Sequence, residues 1–339
     1  MVQILGAMYA TIPVETASKT LQIGIGFASH QDAIWAAVRA TAMARSGLHG
    51  TSPDLVLLVT AGVPAQDVVP MIRGVLGPVG VAGGATSAIL THNGAVTAGA
   101  LVVCLTNSEG AVSGVAAAGG RDLTEAGQGA ARLILAGWPF RMRYPRGLGL
   151  AFVKPGFGTP AEAFLQPWRV LMGPKMRTVC SVLSSPVVYG ASSSEPLASA
   201  ACLEAAYSTG LGYAEGFEAR SALDPETLIQ GSVEATRTAL KRLEGDGARL
   251  VLVIESNARH QALGRAAAEE WSAIKSEIDS RTPCVGWLCD HVAGYGRGVR
   301  PVDAYGSLVV VALGDAPRRG EGLVQWETSK GPPRSPDKH

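Results

Sequence analysis

The sequence predicts an α/β protein made of two related α/β lobes from an internal duplication, with mixed sheets flanked by helices. Three observations predict it. Residues 29–59 align with 224–254 without a gap, at an offset of 195, and both stretches pass from helical to strand periodicity at the same place. Short apolar runs at 55–60, 101–105, 250–255 and 308–313 alternate with helical stripes, the pattern of sheets covered by helices. Glycine is abundant, 42 of 339 residues, without a fixed period, and it sits beside apolar runs where a backbone turns sharply or approaches another closely.

The first lobe (1–145) opens on an apolar run containing Gly24 and Gly26. These mimic the start of a dinucleotide fingerprint, but no acidic residue ends the next strand, so a tight strand-to-helix turn is expected instead. A helix over 32–46 follows, with Ser29 and Asp32 as a capping pair, Ile34, Val38 and Thr41 as its stripe and Gly47 as its stop. Then come a strand at 55–60, a helix at 64–76, a short strand over 80–84 breaking into glycine, a strand at 101–105 and a helix at 123–136. The connecting region (146–222) reads as a strand at 148–153, a strand pair over 179–189 and a helix over 192–207 carrying Cys202.

The second lobe (223–314) starts with Asp224 as N-cap and Pro225 in the first helical position, where its missing N–H costs nothing. Leu228, Ser232, Val233, Thr236, Ala239 and Leu243 continue at helical spacing up to Gly245. A strand at 250–255, a helix at 263–278, and strands at 284–287 and 308–313 complete it. The identities that tie it to the first lobe include Val38/Val233, Ala40/Ala235, Thr41/Thr236, Ala44/Ala239 and the strand pair Leu55/Leu250, Val56/Val251 and Leu57/Leu252. Residues 315–339 are polar and rich in proline and glycine, and a mostly flexible tail is expected there.

Composition narrows the function classes. Apolar residues are 47% and charged residues 17%, enough to bury a large interior. With 29 Lys and Arg against 28 Asp and Glu, there is no basic excess to recruit nucleic acid or an anionic membrane. No apolar run is long enough for a spanning helix, and the first residues lack the pattern of a secretory signal. Five scattered cysteines suit buried thiols in a reducing compartment, so a soluble cytoplasmic protein is expected.

The two lobes resemble the FIST sensory domain family. In the first lobe the resemblance rests on Gly24 and Gly26, the helix at 32–46, the strand beginning Pro53-Asp54-Leu55, and Val81-Ala82-Gly83-Gly84-Ala85-Thr86. In the second it rests on 250–259 and on the turn from Thr282 to Asp290. The match spans roughly 21–120 and 223–314. It departs where Ser256 and Asn257 stand in place of the family's cysteine, and where Cys289, Asp290 and His291 replace its Gly-Glu turn. The resemblance implies a small-ligand sensor of bacterial signalling, with a signalling protein as partner; some members of the family bind haem and report nitric oxide.

Ligands of open α/β sheets sit beyond the carboxyl ends of the strands. That rule gathers Glu255, Asn257, Arg259 and His260 after one strand and Trp287, Cys289, Asp290 and His291 after the next. Such a set could hold a zwitterion: Arg259 for a carboxylate, Asp290 or Glu255 for an amine, Trp287 as an apolar or cation–π face. Gly83, Gly84 and Thr86 add backbone N–H groups that could accept an anion. The competing structural role is that Glu255, Asn257 and Arg259 cap and pair around the following helix. Cys289 and His291 are soft-metal ligands, but no second pair stands at zinc spacing, so no metal centre is expected. Haem iron needs one strong axial ligand, for which His291 or His260 would serve. The expected function is therefore sensory binding of a small polar, amino-acid-like metabolite in a cleft between the lobes, without turnover. Two alternatives are a haem-binding gas sensor and a hydrolase or transferase using Cys289 and His291.

Overall fold

The computed structural model describes residues 21–106, 113–138, 147–156, 160–188, 197–204, 207–216, 224–243, 247–295 and 306–315. The expected tail at 315–339 lies outside them beyond Asp315. The chain begins β1 (Ile23–Ala28), α1 (Ala33–Ser46), β2 (Leu55–Ala61), α2 (Ala65–Leu76) and β3 (Gly80–Thr86). A hairpin of β4 (Ile89–Thr91) and β5 (Gly94–Val96) precedes β6 (Gly99–Leu105). The same succession then runs through β7 (Ser113–Ala118), α3 (Leu123–Gly137), β8 (Gly147–Val153), α4 (Pro160–Met172), β9 (Met176–Val182), β10 (Ser185–Val188) and β11 (Ala198–Glu204). It runs again through β12 (Tyr207–Ala214), α5 (Pro225–Lys241), β13 (Ala248–Ser256), α6 (Asn257–Leu263) and α7 (Ala267–Ser276). β14 (Cys284–Cys289), β15 (Val292–Tyr295) and β16 (Leu308–Asp315) close it.

Three mixed sheets result, flanked by helices, and the two stretches aligned from sequence fold alike. The stretch between them supplies a third unit of the same kind. Each sheet orders its own strands first, fourth, second, third, with the inner pair parallel: β2 with β3, β8 with β9, β13 with β14. Each then takes strand from a neighbour. The second unit lends β10 to β3, the third lends β15 to β9, and the first lends β4 to β14. The loan closes a ring, so no unit completes its sheet alone.

Side-chain alternation explains why the strands read as unbroken apolar runs. Leu57 and Val59, Leu150 and Phe152, and Leu252 and Ile254 point from the three sheets into one shared core. Their neighbours Val56 and Leu58, Ala151 and Val153, and Val251 and Val253 point outward under each unit's own helices. Trp287 and Phe152 meet in the shared core with ring centroids 5.9 Å apart.

Gly24 and Gly26 lie inside β1 and make no turn. A Cβ on them would stand 1.8 and 1.7 Å from the carbonyl oxygens of Ala44 and Ala40, so they let α1 lie directly on the strand. Gly210 and Gly212 do the same for α5 against Ala239 and Ala235. The Ser29–Asp32 pair divides its roles: Asp32 is the cap, accepting from the Ile34 and Trp35 N–H groups, while Ser29 donates to Ala98. Asp224 and Pro225 open α5 as expected.

Two elements differ from expectation. Residues 192–207 contain a strand, β11, in place of a helix (189–196 and 205–206 are not described). Ala200 and Cys202 face the outer helices while Ala201 and Leu203 face the shared core, so small apolar residues on both faces imitate a helical composition. The helix expected at 263–278 begins earlier, at Asn257, and breaks at Gly264, whose φ of 52° forces a short 3-10 turn before α7.

Candidate functional site

The third unit carries the site. On β13 Ile254 points into the shared core, so Glu255 points to the helix side, beneath α6. Ser256 ends the strand and caps α6, its Oγ accepting from the Arg259 N–H at 3.2 Å. One turn later His260 comes back over Glu255, with Nδ1 3.4 Å from the carboxylate Oε1. That is ion-pair distance without hydrogen-bond alignment, and neither atom has another partner among the described residues.

Both line a cavity of about 250 Å³ between the break of α6 and α7 and the hairpin of β4 and β5. Leu90, Asn93, Gly94 and Ala95 wall it from the hairpin, and Arg265, Glu270 and Trp271 from the helices. The hairpin belongs to the first unit, so residues separated by about half the chain build one site. Lys275 Nζ fixes it further by donating to the His92 carbonyl at 3.4 Å.

The electrostatics of the pair run in one direction. Burial pushes the Glu255 carboxyl up, the charge of Glu270 adds to that, and His260 and Arg259 oppose it. The neighbouring Glu255 carboxylate raises the His260 imidazole against the desolvation that would lower it. Both groups hold a proton more tightly than they would in water, in a concave site, which is where acid–base chemistry is sought.

The other residues singled out from sequence are placed differently. Arg259 is fully buried and closed off by four internal partners: Nε donates to Glu270 at 2.8 Å, Nη1 to the Gly306 carbonyl at 3.2 Å, and Nη2 to Ser232 at 2.8 Å and to the Leu228 carbonyl. No carboxylate ligand can reach it. Trp287 is sealed in the shared core, donating to Ser181 at 3.2 Å. The Cys289 thiol is buried with its Sγ on the Glu255 carbonyl, and burial, with Asp290 beside it, pushes its pKa well up. That removes it as a nucleophile and separates it from any Cys289/His291 catalytic pairing.

Asn257 bridges the exposed Asp290 and Ser87, donating Nδ2 to Asp290 at 2.9 Å and accepting from Ser87 at 2.5 Å. His291 lies at the start of the lent strand, its carbonyl accepting from Val182 N–H. Gly83 donates its N–H to Ser199 at 3.3 Å, Gly84 sits in the ladder between Val59 and Pro186, and Thr86 hydroxyl donates to the Leu288 carbonyl. These groups are consumed by the contacts that join the three units, and they form no anion cradle. No group of three or more metal-ligating side chains occurs among the described residues, and His260 faces a carboxylate, not the apolar slot that a haem would fill. Sequence reasoning did not place Trp271 and Arg265 at a site, nor the hairpin of β4 and β5 over them. Both residues fall inside the helix expected at 263–278, and nothing local tells that residues near 90 lie over residues near 265.

A ring of three α/β units with a buried carboxylate beside a half-buried imidazole in an outer cavity is therefore the class of protein present. No protein-family model matches the sequence, and no curated protein sequence matches it. Among solved structures it is similar to a cyanuric acid hydrolase from A. caulinodans, at 10% identity over 86% of this chain and 99% of that chain, with a TM-score of 0.47. A second cyanuric acid hydrolase, described as an evolutionary innovation by structural concatenation, aligns at 9% identity over 87% and 100%, with a TM-score of 0.45. Likeness at that level carries no activity across. The FIST resemblance is corrected by the first of these findings, since no protein-family model, FIST included, matches the sequence. The sensory role falls with it, and the structure gives the physical reason: the space between the units is packed with Trp287 and Phe152, and Arg259 is closed. No helix among the described residues is long and apolar enough to cross a membrane.

Proposed function

We propose that this chain is a hydrolase for a small polar substrate, with His260 and Glu255 as its acid–base pair in the cavity under the hairpin. The observation that supports it is the pairing of two proton-retaining groups lining one cavity, whose facing atoms, Glu255 Oε1 and His260 Nδ1, have no other partner among the described residues. Nδ1 faces Glu255, which favours the tautomer with the proton on Nδ1 and leaves the Nε2 lone pair for a reactant. Nε2 removes a proton from an attacking water as the new C–O bond forms, Glu255 stabilises the imidazolium, and Nε2 returns the proton to the departing nitrogen or oxygen. The 3.4 Å separation suits a pair that tightens when a substrate closes the site. Glu255 acts on the substrate only through His260 and is a positioning residue.

The test is a panel of small amides, imides and esters assayed with wild type and His260→Asn. A substrate turned over by wild type should lose about 100- to 10,000-fold in rate in the variant at unchanged melting temperature. An equal rate in the folded variant overturns the proposal, as does an imidazole that titrates at its free value in wild type by NMR.

A further inference from the structure

We infer that the molecule taken by this cavity is a small carboxylate, its charge met by Arg265 and a neighbouring carbonyl by the indole N–H of Trp271. The inference rests on the site proposed above and names its substrate class. Two negative side chains reach the wall, and neither offers much free charge. Glu270 is spent, accepting from Arg259 at 2.8 Å and from Ser232 at 2.5 Å on one oxygen. Glu255 is buried to 3% exposure beside His260.

The donors are the opposite case. Arg265, exposed in the 3-10 turn and lining the cavity, takes part in none of the ion pairs among the described residues. Trp271 is buried to 7% exposure, and its Nε1 has no acceptor among them. A buried donor left without a partner costs free energy of about 1–3 kcal/mol, so an acceptor in the cavity would recover it. An exposed Arg265 and a buried Trp271 N–H line the same cavity as the apolar Leu90 and Ala95, and such donors select an anion with an adjoining carbonyl. The volume of about 250 Å³ holds roughly eight water-sized groups, which limits the ligand to a few carbons.

Succinate and its uncharged diamide, succinamide, are the probes, with binding to the full-length protein followed by calorimetry and by perturbation of the Trp271 indole N–H resonance. Succinate should bind at least about tenfold more tightly than succinamide, and Arg265→Met should remove that preference. Trp271→Phe keeps the packing and loses the donor, and should weaken succinate about three- to tenfold. Succinate contains no bond that the proposed hydrolysis would cleave, so the substrate class is read without turnover. If succinate binds as expected but no amide or ester is hydrolysed, the hydrolase reading fails and the carboxylate site stands. Equal binding of the two probes, no binding of either, or an Arg265→Met variant that keeps the preference overturns the inference.

Discussion

Arg259 and His260 are sequence neighbours with opposite fates, and the difference is set by which way one helical turn faces. Arg259 turns inward, and its partner Glu270 is as buried as it is. Removing one member of such a pair strands the other charge, so Arg259→Met should cost about 3–5 kcal/mol in urea unfolding. Replacing Glu270 by methionine as well should restore much of that loss, because two apolar side chains leave nothing unpaired. His260 turns toward the cavity and couples to pH. Its folded value is raised by Glu255, so its stabilising contribution is complete below the unfolded value of about 6.5 and is lost as pH rises through the folded value. Glu255 is also raised, through burial, and acts with the same sign from about pH 4.3 upward. Unfolding free energy should therefore decline as pH rises through these ranges, and Glu255→Gln should flatten both parts of the decline. A curve that rises over the same range in wild type would contradict the pairing.

At the scale of elements, the glycines of the first strand of a unit decide how closely its helix lies. Gly212→Ala would place a methyl group 1.7 Å from the Ala235 carbonyl, where backbone and not a flexible tip is in the way. The helix must move, and thermal unfolding should show a loss of about 1–3 kcal/mol or more. Gly247→Ala should cost less, since nothing lies within 4 Å of its added Cβ and only its φ of 106° opposes the change. These positions also show what was legible in the sequence. The helices at 32–46 and from 225 onward and their following strands were readable because caps, stripes and stops agree along one stretch of chain. The middle unit was not, because β7 carries Gly114, Ala116 and Ala118 where β1 and β12 carry Gly-x-Gly-x-Ala, so the glycine pair that marks the other two first strands is missing there. Of the site, Glu255 and His260 were legible as a cluster after an apolar strand. Arg259 and Trp287 were misassigned there, since a polar tip does not reveal whether its partners are internal.

The whole molecule is held by exchange, and its site depends on that exchange. The register of β4 against β14 is short, Leu90 with Gly286 and Ile89 with Trp287, yet it carries the hairpin that walls the cavity. Ile89 also enters the shared core, as does Trp287, so the first unit reaches the third through both a ladder and a buried face. A fragment of residues 207–339 lacks that strand pair and two of the three walls around its inner face. It should therefore show neither cooperative thermal unfolding nor the succinate preference of the full chain. Mixed with residues 1–206, it should recover both, because the missing contacts are non-covalent and span the cut. The informative outcome is the fragment alone: if it melts cooperatively and binds succinate as the full chain does, the lent hairpin is dispensable and the cavity described here is not the site.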